Sequence, residues 1–203
     1  MEFDFATLAG PDRYKLMAAA ITPRPIAWIT SQSAAGVRNA APYSFFGMMG
    51  AEPPLLAIGL MRRPDGTYKD SAANIIETGE FVINLVAEHD AEAMNLTCID
   101  APPGEDEIAL AGLEVAVSSL IAPPRIASAP VSMECRLFNR VDAGLSTIVL
   151  GEVLRFHIDD RFIDPARLHV DTLAMGLVAR MHGAGWYTRS TDLFQMQRPQ
   201  WAT

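Results

Sequence analysis

Thr22-Pro23-Arg24-Pro25-Ile26-Ala27-Trp28-Ile29-Thr30-Ser31, then Asn39-Ala40-Ala41-Pro42-Tyr43-Ser44-Phe45-Phe46-Gly47, is the passage from which the architecture can be read. Pro25 cannot sit inside a helix without losing a hydrogen bond, and the β-prone residues after it predict a strand. Ser31 to Gly36 supplies turn residues, so Val37 to Ala41 folds back as the second arm of a hairpin. Pro42 to Gly47 ends that arm and places hydroxyls beside two phenylalanine rings. Such a mixture suits a flat, partly polar, phosphorylated ligand, with rings covered by aromatic faces and polar edges met by hydroxyls and N–H groups. The same residues also suit a plain buried strand pair. Lys69-Asp70-Ser71 and Asn74 favour the ligand.

Lys69-Asp70-Ser71 stands where a short helix through Glu77, stopped by Gly79, is expected to begin. A helix head presents unpaired N–H groups and partial positive charge, to which Lys69 and Ser71 add a cation and a hydroxyl. A phosphate is well held there, although Asp70 or Ser71 could simply cap the helix. Arg62 and Arg63, just upstream, add charge in a turn.

Outward from this core, Gly10-Pro11-Asp12 opens a helix through Ala20, and Leu55 to Met61 is a continuous apolar strand. Glu80 to Val86 is a strand with Phe81, Ile83 and Leu85 on one face. Asp90 to Ile99 is expected to be helical and Pro102-Pro103-Gly104 to interrupt. A short acidic helix from Glu105 to Ala111 and a strand from Leu113 to Ser118 follow. Val131 to Val141 and Thr147 to Ile158 are long strands joined across Asp142-Ala143-Gly144. Beyond Asp171 the pattern becomes irregular, through the glycine-rich bend Arg180 to Tyr187. Short strands, few helices and frequent turns predict a mainly β antiparallel barrel, one domain over residues 1–203.

Composition narrows the function. The 203 residues carry a net charge of −8, which argues against nucleic-acid binding. No stretch is apolar enough for a membrane span, and Met1-Glu2-Phe3-Asp4 lacks the charge of a signal peptide, so the expected location is cytoplasmic. Cys98 and Cys135 have no metal-ligand spacing, and His89 and His169 have no partners at ligand spacing, so no metal site is expected. His157 is expected at the surface, Glu105 to Glu107 as a solvated helix start. His182, in the bend, is the one weak catalytic candidate. No Ser, His and acid fall into a nucleophile motif, and neither a dinucleotide fingerprint nor a Walker loop is present.

The quoted hairpin resembles the flavin reductase-like, FMN-binding split-barrel family, which includes flavoredoxin and the reductase component of nitrilotriacetate monooxygenase. Pro53-Pro54, Lys69-Asp70-Ser71 with Asn74-Ile75, and Glu80-Phe81-Val82-Ile83-Asn84 belong to the resemblance. Met94-Asn95, Glu134-Cys135, Gly151-Glu152-Val153 and the run from Arg180 to Tyr187 extend it over most of the chain. It implies a homodimer of split β-barrels, a fold shared with pyridoxamine phosphate oxidases, with FMN held noncovalently near the subunit interface. Trp28, Thr30, Ser31, Asn39, Pro42, Tyr43, Ser44 and Phe45 would face the flavin. Arg62, Lys69, Asp70, Ser71 and Asn74 would lie toward its phosphate and ribityl chain. Ser71 stands where the family often has Thr, and Gly47 where it often has Asn. The bend lacks the Gly-Asp-His motif of diffusible-flavin reductases, which favours a tightly held FMN. The implied activity is hydride transfer from NAD(P)H to flavin, with electrons passed to an acceptor or partner oxygenase. The alternative is a flavoredoxin-like electron carrier reduced by another protein.

Overall fold

A computed structural model describes residues 1–102 and 104–201; the expected interruption at Pro103 lies outside them. Pro11 sits in the first turn of helix α1 (Gly10–Ala20). The expected hairpin is strand β1 (Ala27–Gln32) paired antiparallel with β2 (Arg38–Tyr43). Strand β3 (Phe46–Ala51) was not expected there; it pairs with β4 (Pro54–Met61). Two glycines and two exposed methionines give β3 a weak strand pattern, and it forms because β4 supplies the ladder. Helix α2 (Asp70–Thr78) ends at Gly79, whose φ of 75° is the left-handed conformation that glycine adopts without strain. Strand β5 (Glu80–Leu85) follows.

Helix α3 (Ala91–Leu96) is shorter than expected, and α4 (Glu107–Leu110) begins two residues late. Of the strand expected at Leu113 to Ser118, only β6 (Val115–Ala116) pairs, with β7 (Arg125–Ile126). The long hairpin β8 (Val131–Ala143) and β9 (Ser146–Ile158) matches its expected arms within two residues. Two small ladders complete the chain: β10 (Ile163–Asp164) with β11 (His169–Val170), and β12 (Val178–Met181) with β13 (Trp186–Arg189). The latter pair corrects the reading of the bend as irregular. Its glycines form the turn of a hairpin whose arms hide their alternation in only four residues each.

Seven strands make one antiparallel sheet in the order β2-β1-β5-β8-β9-β4-β3. One face is a single core, with Ile29, Ile58, Phe81, Ile83, Met133 and Val149 packed around Ile75 of α2. Edge strand β2 approaches β4, next to the opposite edge, so the sheet is curled; β2 and β3 do not hydrogen-bond, and the barrel stays split. A second apolar cluster, Ile26, Trp28, Val86, Met94, Ile126 and Val178, covers the other face of β1 and β5. Between the layers, Asn84 satisfies itself with Trp28 O, Ile126 N and Ser132 Oγ at 2.8–3.0 Å.

On this outer face His157 is not simply at the surface. It lies beside Ser132 across β8 and β9, and its Nε2 is 2.6 Å from Glu134 Oε1. Glu134 is fully buried and also accepts from the N–H groups of Ser119 and Leu120, at 2.6 and 2.7 Å. Burial pushes its carboxyl up, but the Ser119 N–H, His157 and the Leu120 N–H together hold it below the usual range. The loop over the outer face is thereby pinned to the sheet. No helix among the described residues is long and apolar enough to cross a membrane.

Candidate functional site

Helix α2 carries no side-chain cap: Lys69 occupies the N-cap position, and neither Asp70 nor Ser71 turns back to bond the first turn. The Ser71 hydroxyl instead donates to Asn39 Oδ1 on β2 at 2.6 Å. Asn39 Oδ1 also accepts from Ser31 Oγ at 3.2 Å, and Ser31 Oγ accepts from Asn74 Nδ2 at 3.1 Å. Four buried polar residues thus lock α2 against the β1–β2 hairpin and fix where the helix head opens. The head's N–H groups have no intrahelical partners and are left to water or a ligand.

The head opens into a pocket of about 150 Å³, walled by Pro42 and Tyr43 and edged by Arg63, Lys69, Asp70 and Ser71. Six of the expected contacts (Asn39, Pro42, Tyr43, Lys69, Asp70 and Ser71) meet here. Both cations are held at the rim by acids: Lys69 Nζ is 2.7 Å from Asp100, and Arg63 Nη2 is 3.4 Å from Asp70. The Lys69 bond holds the Asp100 carboxyl below its ordinary range. Burial pushes the Tyr43 phenol up to about 12 against the opposing pull of Ser71, so Tyr43 stays a neutral hydroxyl.

Other expected residues fall elsewhere. Ser44 lines an adjoining cavity with Pro42 and Tyr43, and its hydroxyl accepts from Arg24 Nε at 3.3 Å. Phe45 lines a further recess with Tyr14, Gly59 and Met61. Trp28 and Thr30 are fully buried behind the pocket, Trp28 Nε1 donating to Thr97 Oγ1 at 3.0 Å and Thr30 to the Pro124 carbonyl. Ser31 and Asn74 belong to the supporting network. Arg62 turns away, 2.6 Å from Asp142 and stacked 4.4 Å over Tyr68. The arginine on the pocket is its neighbour Arg63. His182, at φ 46°, is exposed at the tip of the β12–β13 hairpin against Trp186; its carbonyl, not its ring, reaches inward, to Arg24 Nη2 at 3.0 Å.

Three participants were not singled out from the sequence. Arg24 is buried, bonded to Ile21 O, Ala18 O, Ser44 and His182 O, and so ties α1, the hairpin and the bend together. Glu107 is buried, not solvated, and accepts from Asn39 Nδ2 at 2.9 Å and Ala40 N at 3.3 Å. Its neighbour Asp106 caps α4 and pairs with Arg38. Cys98 lies at the seam between the pocket and its neighbouring cavity, with a thiol that burial pushes up against the opposing charge of Arg180. Among the described residues no group of three or more His, Cys, Asp or Glu side chains is placed to hold a metal.

The model of the flavin reductase like domain matches residues 17–173. An uncharacterized protein of Deinococcus radiodurans is 43% identical over 98% of this chain and 90% of its own length. Two solved structures are similar over nearly their whole lengths. Nitrilotriacetate monooxygenase component B from Bacillus cereus has a TM-score of 0.92 and 32% identity, covering 97% of this chain and 98% of that one. The 2-nitrobenzoate 2-nitroreductase of Pseudomonas fluorescens has a TM-score of 0.89 and 34% identity, covering 98% and 96%.

Proposed function

The chain belongs to the flavin reductase-like family, and from that premise we propose that it is an oxidoreductase holding FMN noncovalently and oxidising NAD(P)H. The observation that carries the cofactor choice is the uncapped head of α2, which opens beside Lys69, Arg63 and Ser71 into a pocket walled by Pro42 and Tyr43. That donor set fits a phosphate, and the wall fits a flat ring. Bound FMN supplies the capacity to accept a hydride and to pass electrons on. The chain's own work is to hold and orient. Lys69 and Arg63 would exchange their rim acids for the phosphate, and the N–H groups of the helix head would donate to it, while the Ser71 hydroxyl stays on Asn39 and fixes where the head opens. Tyr43, neutral across the working range, would face the cofactor from the wall it shares between the two cavities. Orientation alone is sufficient for hydride transfer, so no side chain of this site is assigned as an acid or base.

The natural acceptor in this reading is a partner oxygenase, which the likeness to a monooxygenase component supports, and the working unit is a homodimer. The cofactor stays bound through turnover, because several charge-assisted contacts converge on one phosphate. To test this, FMN-loaded protein is dialysed extensively and mixed anaerobically with NADH or NADPH. Bleaching of the bound flavin, followed by steady turnover with an artificial acceptor and no added flavin, is the expected result. Activity lost on dialysis and regained with saturating dependence on free FMN contradicts the bound-cofactor reading. Flavin that neither nucleotide reduces transfers the assignment to an electron carrier served by another protein.

A further inference from the structure

We propose that Asp100 competes with the cofactor phosphate for Lys69, and so sets how tightly the cofactor is held. This rests on the FMN reading and adds to it a residue that works against binding. Asp100 lies on the loop between α3 and α4, and its carboxylate meets Lys69 Nζ at 2.7 Å on the rim of the phosphate pocket. The hydrogen bond and charge of Lys69, joined by the charge of Arg63, hold that carboxyl below its ordinary range. One carboxylate therefore stands in the field of both rim cations. A phosphate would seek the same place.

The charges around the pocket make this competition matter. Its wall carries Lys69 and Arg63 against Asp70, Asp100 and Glu107, so acids outnumber cations. A phosphate dianion meeting all three acids is repelled on balance. With Asp100 swung aside the two signs are equal, and the partial positive charge of the helix head decides for the phosphate. Of the three acids, Asp100 is the one placed to move. Asp70 is the first residue of α2, with its carboxylate toward Arg63. Buried Glu107 is committed to Asn39 and to the N–H of Ala40. The Asp100 side chain is 88% exposed, and the backbone of residues 99–101 makes no hydrogen bond among the described residues. Swinging it aside breaks one exposed ion pair, a contact of small worth. The share of molecules in which Lys69 is released from Asp100 then scales the apparent affinity for the cofactor.

The test is equilibrium titration with FMN and with riboflavin, followed by flavin fluorescence quenching. The wild type is compared with Asp100→Asn, Asp100→Ala, Lys69→Ala and the double variant Lys69→Ala/Asp100→Asn. Removing an exposed competing pair is worth about two- to fivefold. Asp100→Asn should therefore bind FMN about two- to fivefold tighter than the wild type and leave riboflavin unchanged. Asp100→Ala should show the same gain, since the charge and not the side-chain shape competes. On the Lys69→Ala background, Asp100→Asn should gain nothing, because the contested cation is gone. A wild type that prefers FMN to riboflavin, without improvement in Asp100→Asn, overturns this proposal and leaves the FMN reading standing. An equal change for both flavins, or a gain that persists without Lys69, also overturns it. If no form of the protein binds FMN, the FMN reading and this proposal fall together.

Discussion

A Cβ placed on Gly151 of β9 would stand 2.5 Å from Cζ of Phe81, in the middle of the barrel core. The phenylalanine ring is fully buried and cannot withdraw, so Gly151→Ala is expected to cost roughly 1–3 kcal/mol through overpacking. Thermal unfolding checks this: the melting temperature should fall by several degrees, and an unchanged value contradicts the packing described. Single residues were also where the sequence was least legible. Arg62 and Arg63 are adjacent and chemically alike, and only the course of the chain after β4 sends one to Asp142 and the other to the pocket. Glu107 had no local signal, because its partner Asn39 lies 68 residues away and an acidic helix start is ordinarily solvated. By contrast the position of Lys69 and Ser71 at a helix head was legible, since the helix announces itself through Gly79 at the other end.

At the scale of elements, β1, β2, β4, β5, β8 and β9 were readable because turn residues bound them and apolar residues fill them. Strand β3 and the β12–β13 hairpin were not, since glycine and methionine carry little strand preference and their pairing is settled by neighbours. The buried Glu134 staple between the β8–β9 hairpin and the loop at Ser119 and Leu120 yields a prediction of its own. Its folded carboxyl titrates below the ordinary glutamate value of 4.5, so its contribution to stability is complete above that value. The contribution is lost as pH falls through the folded value. Glu134→Gln keeps the shape and removes the charge. Wild type should melt higher than the variant at pH 7, and the gap should close as the medium is acidified below the ordinary glutamate value of 4.5 and through the lowered folded value. A gap that is independent of pH contradicts the role given to the carboxylate.

Over the whole molecule, the curled sheet leaves apolar side chains in water that one chain does not cover. Met48 and Met49 on β3 are 70% and 59% exposed, and Phe138, Val141 and Ile148 line the far end of the β8–β9 hairpin. Exposed apolar side chains of this size are what an interface between two copies would cover. A homodimer is the expected state, so light scattering at low micromolar protein should return twice the chain mass of 22.0 kDa. A monomer mass with FMN bound contradicts it. The central claim, an FMN phosphate at the head of α2, has its own most direct measurement. Equilibrium titration compares FMN with riboflavin, which lacks only the phosphate, on the wild type and on Lys69→Ala. The wild type should prefer FMN, and Lys69→Ala should weaken FMN by roughly tenfold or more while leaving riboflavin nearly unchanged. Equal affinity of the wild type for both flavins, or equal weakening of both by the substitution, would contradict the placement of the phosphate at this helix.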